Sequence, residues 1–169
     1  MFNQGLSLDQ APPISVPFRF FITAPLFGIA LGLLFFFFPT DLLINRYSSV
    51  AIGGIHLFTL GILSMIIFGA MQQMMPVLAG AVIKKPVLFA NVVHTSLTLG
   101  TLFFSASFIF EIKALLHVGA SLLAIAFLTF FAVLAYLIFK VKFLTSTVNA
   151  MKLFTVAGII TSMLGLYLA

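Results

Sequence analysis

Five apolar stretches, each long enough to cross a lipid bilayer, occupy most of this chain. A helix needs about 20 predominantly apolar residues to span the hydrocarbon core, and the stretches lie at approximately 17–38, 50–77, 87–110, 114–139 and 150–168. Lipid offers no water to exposed backbone groups, so such stretches must form helices. The sequence therefore predicts an all-α integral membrane protein, with residues 1–169 forming a single transmembrane domain built as a five-helix bundle.

Charged residues are scarce and stand mostly at the ends of the apolar stretches. They make up 7% of the chain, whereas a soluble domain carries about 25%. Because this distribution is what membrane topology requires, the net charge of +5 indicates a lipid bilayer as the surroundings and no nucleic-acid partner. The chain contains no cysteine, which excludes disulfides, iron–sulfur clusters and covalent haem attachment through Cys-x-x-Cys-His.

The basic residues predict how the bundle is oriented. Two of them, Arg46 and Lys113, lie on the side away from the N-terminus. Six lie on the side of the N-terminus: Arg19, Lys84, Lys85, Lys140, Lys142 and Lys152. Since basic residues accumulate on the cytoplasmic side, we expect a cytoplasmic N-terminus and a periplasmic C-terminus. The corresponding location is the cytoplasmic (inner) membrane of a bacterium, with the protein crossing it several times.

All three histidines, His56, His94 and His117, fall inside the apolar stretches. Ionisable residues in a membrane are costly and usually functional, and imidazole is the commonest protein ligand for metals. In the expected orientation His56 and His117 lie roughly 9 Å and 5 Å below the outer ends of their helices, at matched depth. Two such histidines can hold a b-type haem between two helices. We therefore predict haem b as the cofactor, with His56 and His117 as iron ligands.

His94 is the third candidate for binding a cofactor, and it has a second interpretation. It lies in the inner half of its helix, close to hydroxyl and amide side chains that can hydrogen-bond it as part of a structural polar cluster. Those neighbours are Asn91, Thr95, Ser96 and Thr98.

Polar residues elsewhere leave further alternatives open. Gln72 and Gln73 could hydrogen-bond a quinone, a haem propionate or the backbone freed by Pro76, and the methionines beside them could bind Cu(I) or simply fill the core. Glu111 could orient a ligand histidine or form a solvated charge pair with Lys113. The last stretch carries small residues at four-residue spacing, which favours close helix contact such as a homodimer interface; these are Gly158, Thr161, Ser162 and Gly165.

Residues 56–61 (HLFTLG) and 69–77 (GAMQQMMPV) together resemble the second helix of membrane haem proteins related to the haem–copper oxidase catalytic subunit. The NnrS-like proteins of the nitric oxide response are similar, and residues 17–28 (PFRFFITAPLFG) also resemble this family. The resemblance covers the first two stretches and implies that His56 is a haem axial ligand. The family's further haem ligand and its three-histidine copper centre have no counterpart here. The resemblance thus implies a half-size relative that could complete its core by dimerising.

These observations support two functional hypotheses. The first is a membrane b-type haem protein, in which two imidazole ligands favour electron transfer from a quinol or a redox protein, whereas an open position would allow binding of NO or O₂. The haem could lie within one protomer or between two. The second hypothesis is a non-haem transporter, or an accessory or scaffold subunit of a larger membrane complex. It would use His94, Gln72 and Gln73 as a polar pathway.

Overall fold

The computed structural model of the chain describes residues 8–43, 45–141 and 145–168, with side chains described over 9–165 of these. Throughout these ranges the regular structure is helical. A 3₁₀ turn, Leu8–Gln10, precedes seven α-helices: α1 Ser15–Phe37, α2 Pro39–Leu43, α3 Ser49–His56, α4 Met65–Ala79, α5 Pro86–Ile109, α6 Lys113–Ile138 and α7 Ser146–Leu168. A π-helix, Leu57–Ser64, joins α3 to α4 without a break. We call it the π segment, and we call Ser49–Ala79 the second span.

Five helices are long and apolar enough to cross a membrane: α1, the second span, α5, α6 and α7. The predicted all-helical, multi-pass architecture is thereby confirmed. The largest difference in bounds is at α7, which begins at Ser146 rather than at 150, because Thr145 caps it by accepting a hydrogen bond from the backbone N–H of Val148 at 3.2 Å. The orientation stays a prediction, and Lys142, one of the residues on which it rests, lies outside the described residues.

Local signals set the turns between the spans. Ser48 starts α3, since its hydroxyl accepts from the backbone N–H of Ala51 at 3.0 Å. Gly80 ends α4 in the left-handed conformation at φ 63°, and the following N–H groups return to the last carbonyls of the helix. Pro86 then opens α5, where its missing N–H costs nothing. Because the connections are short, successive spans run antiparallel.

The closely packed core lies in the half of the bundle nearer the N-terminus. Helix α5 packs most extensively against α6, while α1 lies on α4 and the π segment, and α7 lies on α6. The rings of Phe68 and Phe130 stack with centroids 3.7 Å apart, and both side chains are fully buried, as is Phe20. These large side chains come from the parts of α1, α4 and α6 that share one half of the membrane. The opposite half contains His56.

Candidate functional site

His56 is the last residue of α3, and two phenylalanines of α5 hold its ring. Phe104 meets the imidazole edge-on, with ring centroids 4.9 Å apart. Phe108 stacks nearly parallel to it at 5.4 Å and 8°. The side chain is half-buried. Contacts on two sides restrict the rotation of the ring, so His56 presents a defined face to its surroundings.

The hydrogen bonding of His56 determines which ring nitrogen has a free lone pair. Nδ1 lies 2.8 Å from the backbone carbonyl oxygen of Ile52, one turn earlier in the same helix. A carbonyl only accepts, so Nδ1 carries the proton and donates it. In the neutral imidazole Nε2 is then the basic nitrogen. Metal-ligating histidines commonly have this arrangement, in which a backbone carbonyl orients the ring through one nitrogen and the other binds the metal.

His56 lines a cavity of about 380 Å³ in the half of the bundle away from the N-terminus, which we call the His56 groove. Pockets that bind small molecules and cofactors have volumes of about 300–1,000 Å³ and mostly apolar walls. The second span, α5, α6 and α7 all contribute to the lining, which comprises His56, Leu60, Phe104, Ala120, Leu123, Ala124, Phe127, Thr161, Ser162 and Gly165. The walls are apolar except for His56 and the two hydroxyl residues of α7.

The π segment begins directly after His56. Its wider turn is visible at Ser64, whose hydroxyl donates to the carbonyl of Thr59, five residues earlier, at 3.0 Å. At Gly61 the segment touches α1 so closely that a Cβ atom would lie 2.4 Å from Cγ of Phe27. π-Helical turns are rare and occur frequently at functional sites. The irregularity therefore adds to the evidence that the end of α3 is a site rather than plain scaffold.

Most of the glycines near the groove serve contacts between helices. A Cβ atom at Gly53 would lie 2.9 Å from the carbonyl oxygen of Ser105, and one at Gly119 would lie 2.5 Å from the backbone nitrogen of Phe104. In α7, Gly158 packs against Phe131 of the same chain. Gly165 differs, since nothing lies within 4 Å of its Cβ position, and it lines the groove. Gly158 thus has a contact within the protomer, and the role of the small residues of α7 in a homodimer stays a prediction.

His117 lies on the exposed surface of α6, one turn before Ala120. Its backbone carbonyl accepts from the hydroxyl of Ser121 at 2.8 Å. It occupies the same half of the bundle as His56, as predicted, but it is not among the residues that line the groove. Within the described ranges, no three His, Cys, Asp or Glu side chains come close enough together to hold a metal ion.

His94 connects α5 to α1 through a polar cluster. Its Nε2 lies 2.8 Å from the hydroxyl oxygen of Thr23, and that hydroxyl donates to the carbonyl of Arg19, also at 2.8 Å. Since the one hydroxyl proton is used, Nε2–H of His94 must donate to Thr23. The Arg19 guanidinium in turn donates to the side-chain oxygen of Asn91, and Phe20 packs edge-on against His94 at 5.0 Å. The arrangement supports the structural interpretation of His94, although Arg19 and Thr23 could not be identified as its partners from sequence.

The remaining candidate residues lie in different surroundings. Gln72 is buried in the bundle, and Gln73 is exposed. Of the neighbouring methionines, Met75 belongs to the core, as expected for a filler residue. Glu111 lies in the turn between α5 and α6 and accepts from the hydroxyl of Ser49 at 3.0 Å, so it joins this turn to the start of α3.

No protein-family model, curated protein or solved structure matches this chain. The fold itself defines a multi-pass helical membrane protein with five candidate spans. The resemblance to relatives of the haem–copper oxidases therefore rests on the sequence motifs alone.

Proposed function

We propose that this protein binds b-type haem in the His56 groove, with Nε2 of His56 as an axial ligand to the iron. The observation that carries the proposal is the state of His56: its ring is held by Phe104 and Phe108, and Nδ1 donates to Ile52, so Nε2 keeps its lone pair. The mostly apolar walls of the groove suit the body of a macrocycle. Bound haem would supply reversible one-electron chemistry and, at an open position, binding of a diatomic gas.

The second axial position distinguishes two versions of this proposal. Within one protomer His56 is the histidine that lines the groove, which favours an open position and therefore binding of NO or O₂. His117 is exposed nearby on α6, where it could serve a haem shared between two copies of the chain. That homodimer would have two imidazole ligands and would favour electron transfer, with a quinol or a redox protein as the donor.

Optical spectra test the proposal directly. Detergent-purified protein, expressed with ample haem, is compared with His56→Ala, His117→Ala and His94→Ala. We expect a Soret band in the wild type that is lost in His56→Ala and kept in His94→Ala, which is the matched histidine control. Loss in His117→Ala would support the shared, six-coordinate version, and retention would support the open position. A colourless wild type that also fails to bind added haemin would overturn the haem proposal.

We also propose that the protein lies in a bacterial inner membrane with its N-terminus in the cytoplasm. The distribution of basic residues supports this orientation. The chain has no cysteine, so single cysteines can be introduced and labelled without interference. Val82 and Phe110 are exposed neutral residues in turns on opposite faces. A membrane-impermeant thiol reagent applied to intact cells should label Phe110→Cys and spare Val82→Cys. The reverse pattern would refute the orientation.

A second candidate function, a transporter with an internal polar pathway, has support from α5. Three of its hydroxyl groups are buried and have no hydrogen-bond partner among the described residues: Thr98, Thr101 and Ser105. They follow His94 at alternating four- and three-residue spacing, which keeps them on one side of the helix. Proteoliposomes containing a pH-sensitive dye test this candidate. A proton flux that Thr101→Val abolishes, in a colourless protein, would favour it over haem binding. No proton flux in either protein would exclude proton transport and leave a transporter of another solute, or an accessory or scaffold subunit, as the alternative to haem binding.

A further inference from the structure

A second cavity, of about 370 Å³, lies at the end of the bundle near the N-terminus. We call it the N-terminal cavity. Three parts of the chain enclose it: the segment that precedes α1, the C-terminal part of α4, and the turn that leads into α5. The lining consists of Asp9, Gln10, Ala11, Pro12, Pro13, Gln72, Pro76, Val82, Ile83 and Pro86. Its walls are therefore proline and aliphatic side chains, with two glutamines and one carboxylate as the polar groups.

The side chain of each glutamine has an amide oxygen without a hydrogen-bond partner among the described residues. The Gln72 side chain is 1% exposed, and its Nε2 donates to the carbonyl of Phe68 at 3.3 Å, which fixes the orientation of the amide. Oε1 of Gln72 and Oε1 of Gln10 are buried and have no hydrogen-bond partner within the described ranges. Buried polar atoms are nearly always paired. Two unpaired acceptors that belong to residues lining one cavity therefore offer hydrogen-bonding positions to a ligand that donates.

The rest of the cavity reinforces the need for a donor. Four of its lining residues are prolines, which have no backbone N–H. Helix α4 ends beside it at Ala79, and the C-terminus of a helix carries the partial negative charge of its dipole. Oε1 of Gln10 lies close to this end, 3.7 Å from the Cβ position of Gly80. The acceptors at this cavity thus include both amide oxygens and the C-terminal end of α4.

The charges around the cavity favour a neutral ligand over a cation. Asp9 is in the lining, but Lys84 and Lys85 are exposed in the turn between two lining residues, Ile83 and Pro86. Two positive charges against one negative charge leave no net attraction for an ammonium group. Hydroxyl groups are the neutral donors that match amide oxygens. A neutral ligand with two hydroxyls can donate to both acceptors.

We propose that the N-terminal cavity binds a membrane-soluble ligand of the hydroquinone class, whose two hydroxyls donate to Oε1 of Gln72 and Oε1 of Gln10. Such a ring is apolar on its faces and donates at its two ends. The site is separate from the haem proposal, because Gln72 follows His56 by sixteen residues, about 24 Å along a helix. The inference concerns binding alone, and no reaction at this site is invoked.

Ligand pairs that differ in their donors test the inference. The full-length, haem-free protein in detergent is titrated anaerobically with a short-chain benzohydroquinone, with its 1,4-dimethyl ether and with the corresponding quinone, and binding is measured by calorimetry. The ether has the same ring but no O–H group, and the quinone offers only acceptors. We expect the hydroquinone to bind about 4- to 100-fold more tightly than either, because each of its two hydrogen bonds changes affinity by roughly 2- to 10-fold.

Matched variants locate the site. Gln72→Leu should weaken hydroquinone binding about 2- to 10-fold, while Gln73→Leu, an identical change at the neighbouring exposed residue, should leave it unchanged. Gln10→Leu tests the second acceptor outside the spans and keeps the inference falsifiable if Gln72→Leu fails to fold. Equal binding of hydroquinone and ether, equal effects of the Gln72 and Gln73 variants, or no binding at all would overturn it, the last result indicating that the cavity holds only water. Because the protein is haem-free, none of these outcomes bears on the haem proposal.

Discussion

The contact between α5 and α6 at Gly119 offers a quantitative test of the packing. A Cβ atom at Gly119 would lie 2.5 Å from the backbone nitrogen of Phe104 and 2.8 Å from its Cα atom. The shorter distance is about 0.9 Å less than the 3.4 Å at which ordinary contact begins. The obstructing atoms belong to the backbone, so a side-chain rotation cannot relieve the clash. Gly119→Ala must therefore move one helix relative to the other.

The expected loss of stability follows from a comparison with a second glycine. Overpacking of this kind costs about 1–3 kcal/mol, whereas replacing glycine by alanine inside a helix gains about 0.5–1 kcal/mol. Gly32 is exposed in α1 with nothing within 4 Å of its Cβ position, so Gly32→Ala should show the gain alone. Since both variants share the gain, the difference between them should equal the overpacking cost, about 1–3 kcal/mol.

Unfolding in mixed micelles measures this difference. Far-ultraviolet circular dichroism is followed during titration with SDS for wild type, Gly32→Ala and Gly119→Ala. We expect the midpoint of Gly119→Ala below that of the wild type and that of Gly32→Ala at or above it. If both variants unfold together with the wild type, or if Gly119→Ala is the more stable one, the close approach of α5 and α6 at Phe104 is wrong.

Three further predictions concern single polar groups, with the same unfolding assay as the measurement. Glu111 has φ 56°, which costs a non-glycine residue about 1–2 kcal/mol. Glu111→Gly and Glu111→Ala both lose the bond from Ser49, but only the alanine variant keeps this strain, so Glu111→Gly should be the more stable of the two by about 1–2 kcal/mol; equal stability or the opposite order would contradict this account. Thr23→Val should lower the free energy of unfolding by about 1 kcal/mol in the wild type and by much less in the His94→Leu background. Equal losses in the two backgrounds would mean that the two side chains do not interact. Thr101→Val replaces a fully buried hydroxyl without a partner in the described chain and should be neutral or stabilising; a loss above about 1 kcal/mol would mean that the hydroxyl is hydrogen-bonded.

The spans could be predicted from sequence because the bilayer fixes both the length and the composition of a crossing helix. Their inward faces could not, because these helices are apolar on all sides and lipid is as apolar as the core. Gln72 and Gln73 illustrate the difficulty, since both were candidates and the structure buries only Gln72. The π segment makes this prediction harder still. The 3.6-residue period of an α-helix does not hold through Leu57–Ser64, so the sequence does not show which residues after it lie on the same side as His56.

One residue of the candidate site could also be predicted from the sequence. His56 stood out as an ionisable residue inside an apolar stretch, and the structure gives it a cavity and a free lone pair on Nε2. Contacts between residues far apart in the sequence could not be predicted. Nothing in the sequence indicates that Thr161 and Ser162 of α7 line the same groove, or that Thr23 of α1 bonds His94 of α5. Such pairings depend on how the helices are rotated about their axes, and the amino-acid pattern of an apolar helix does not encode that rotation.

The π segment has a consequence for how this chain should be compared with others. A turn in which hydrogen bonds close over five residues holds more residues than an α-helical turn, so the segment is a place where the second span can gain or lose a residue. Losing one would let the turn become α-helical while α3 still faces α5 and α4 still faces α1. We therefore expect that the number of residues between His56 and Gln72 can change by one without altering which helices α3 and α4 face. A sequence search that allows a single gap within Leu57–Ser64 is the form in which distant relatives should be sought.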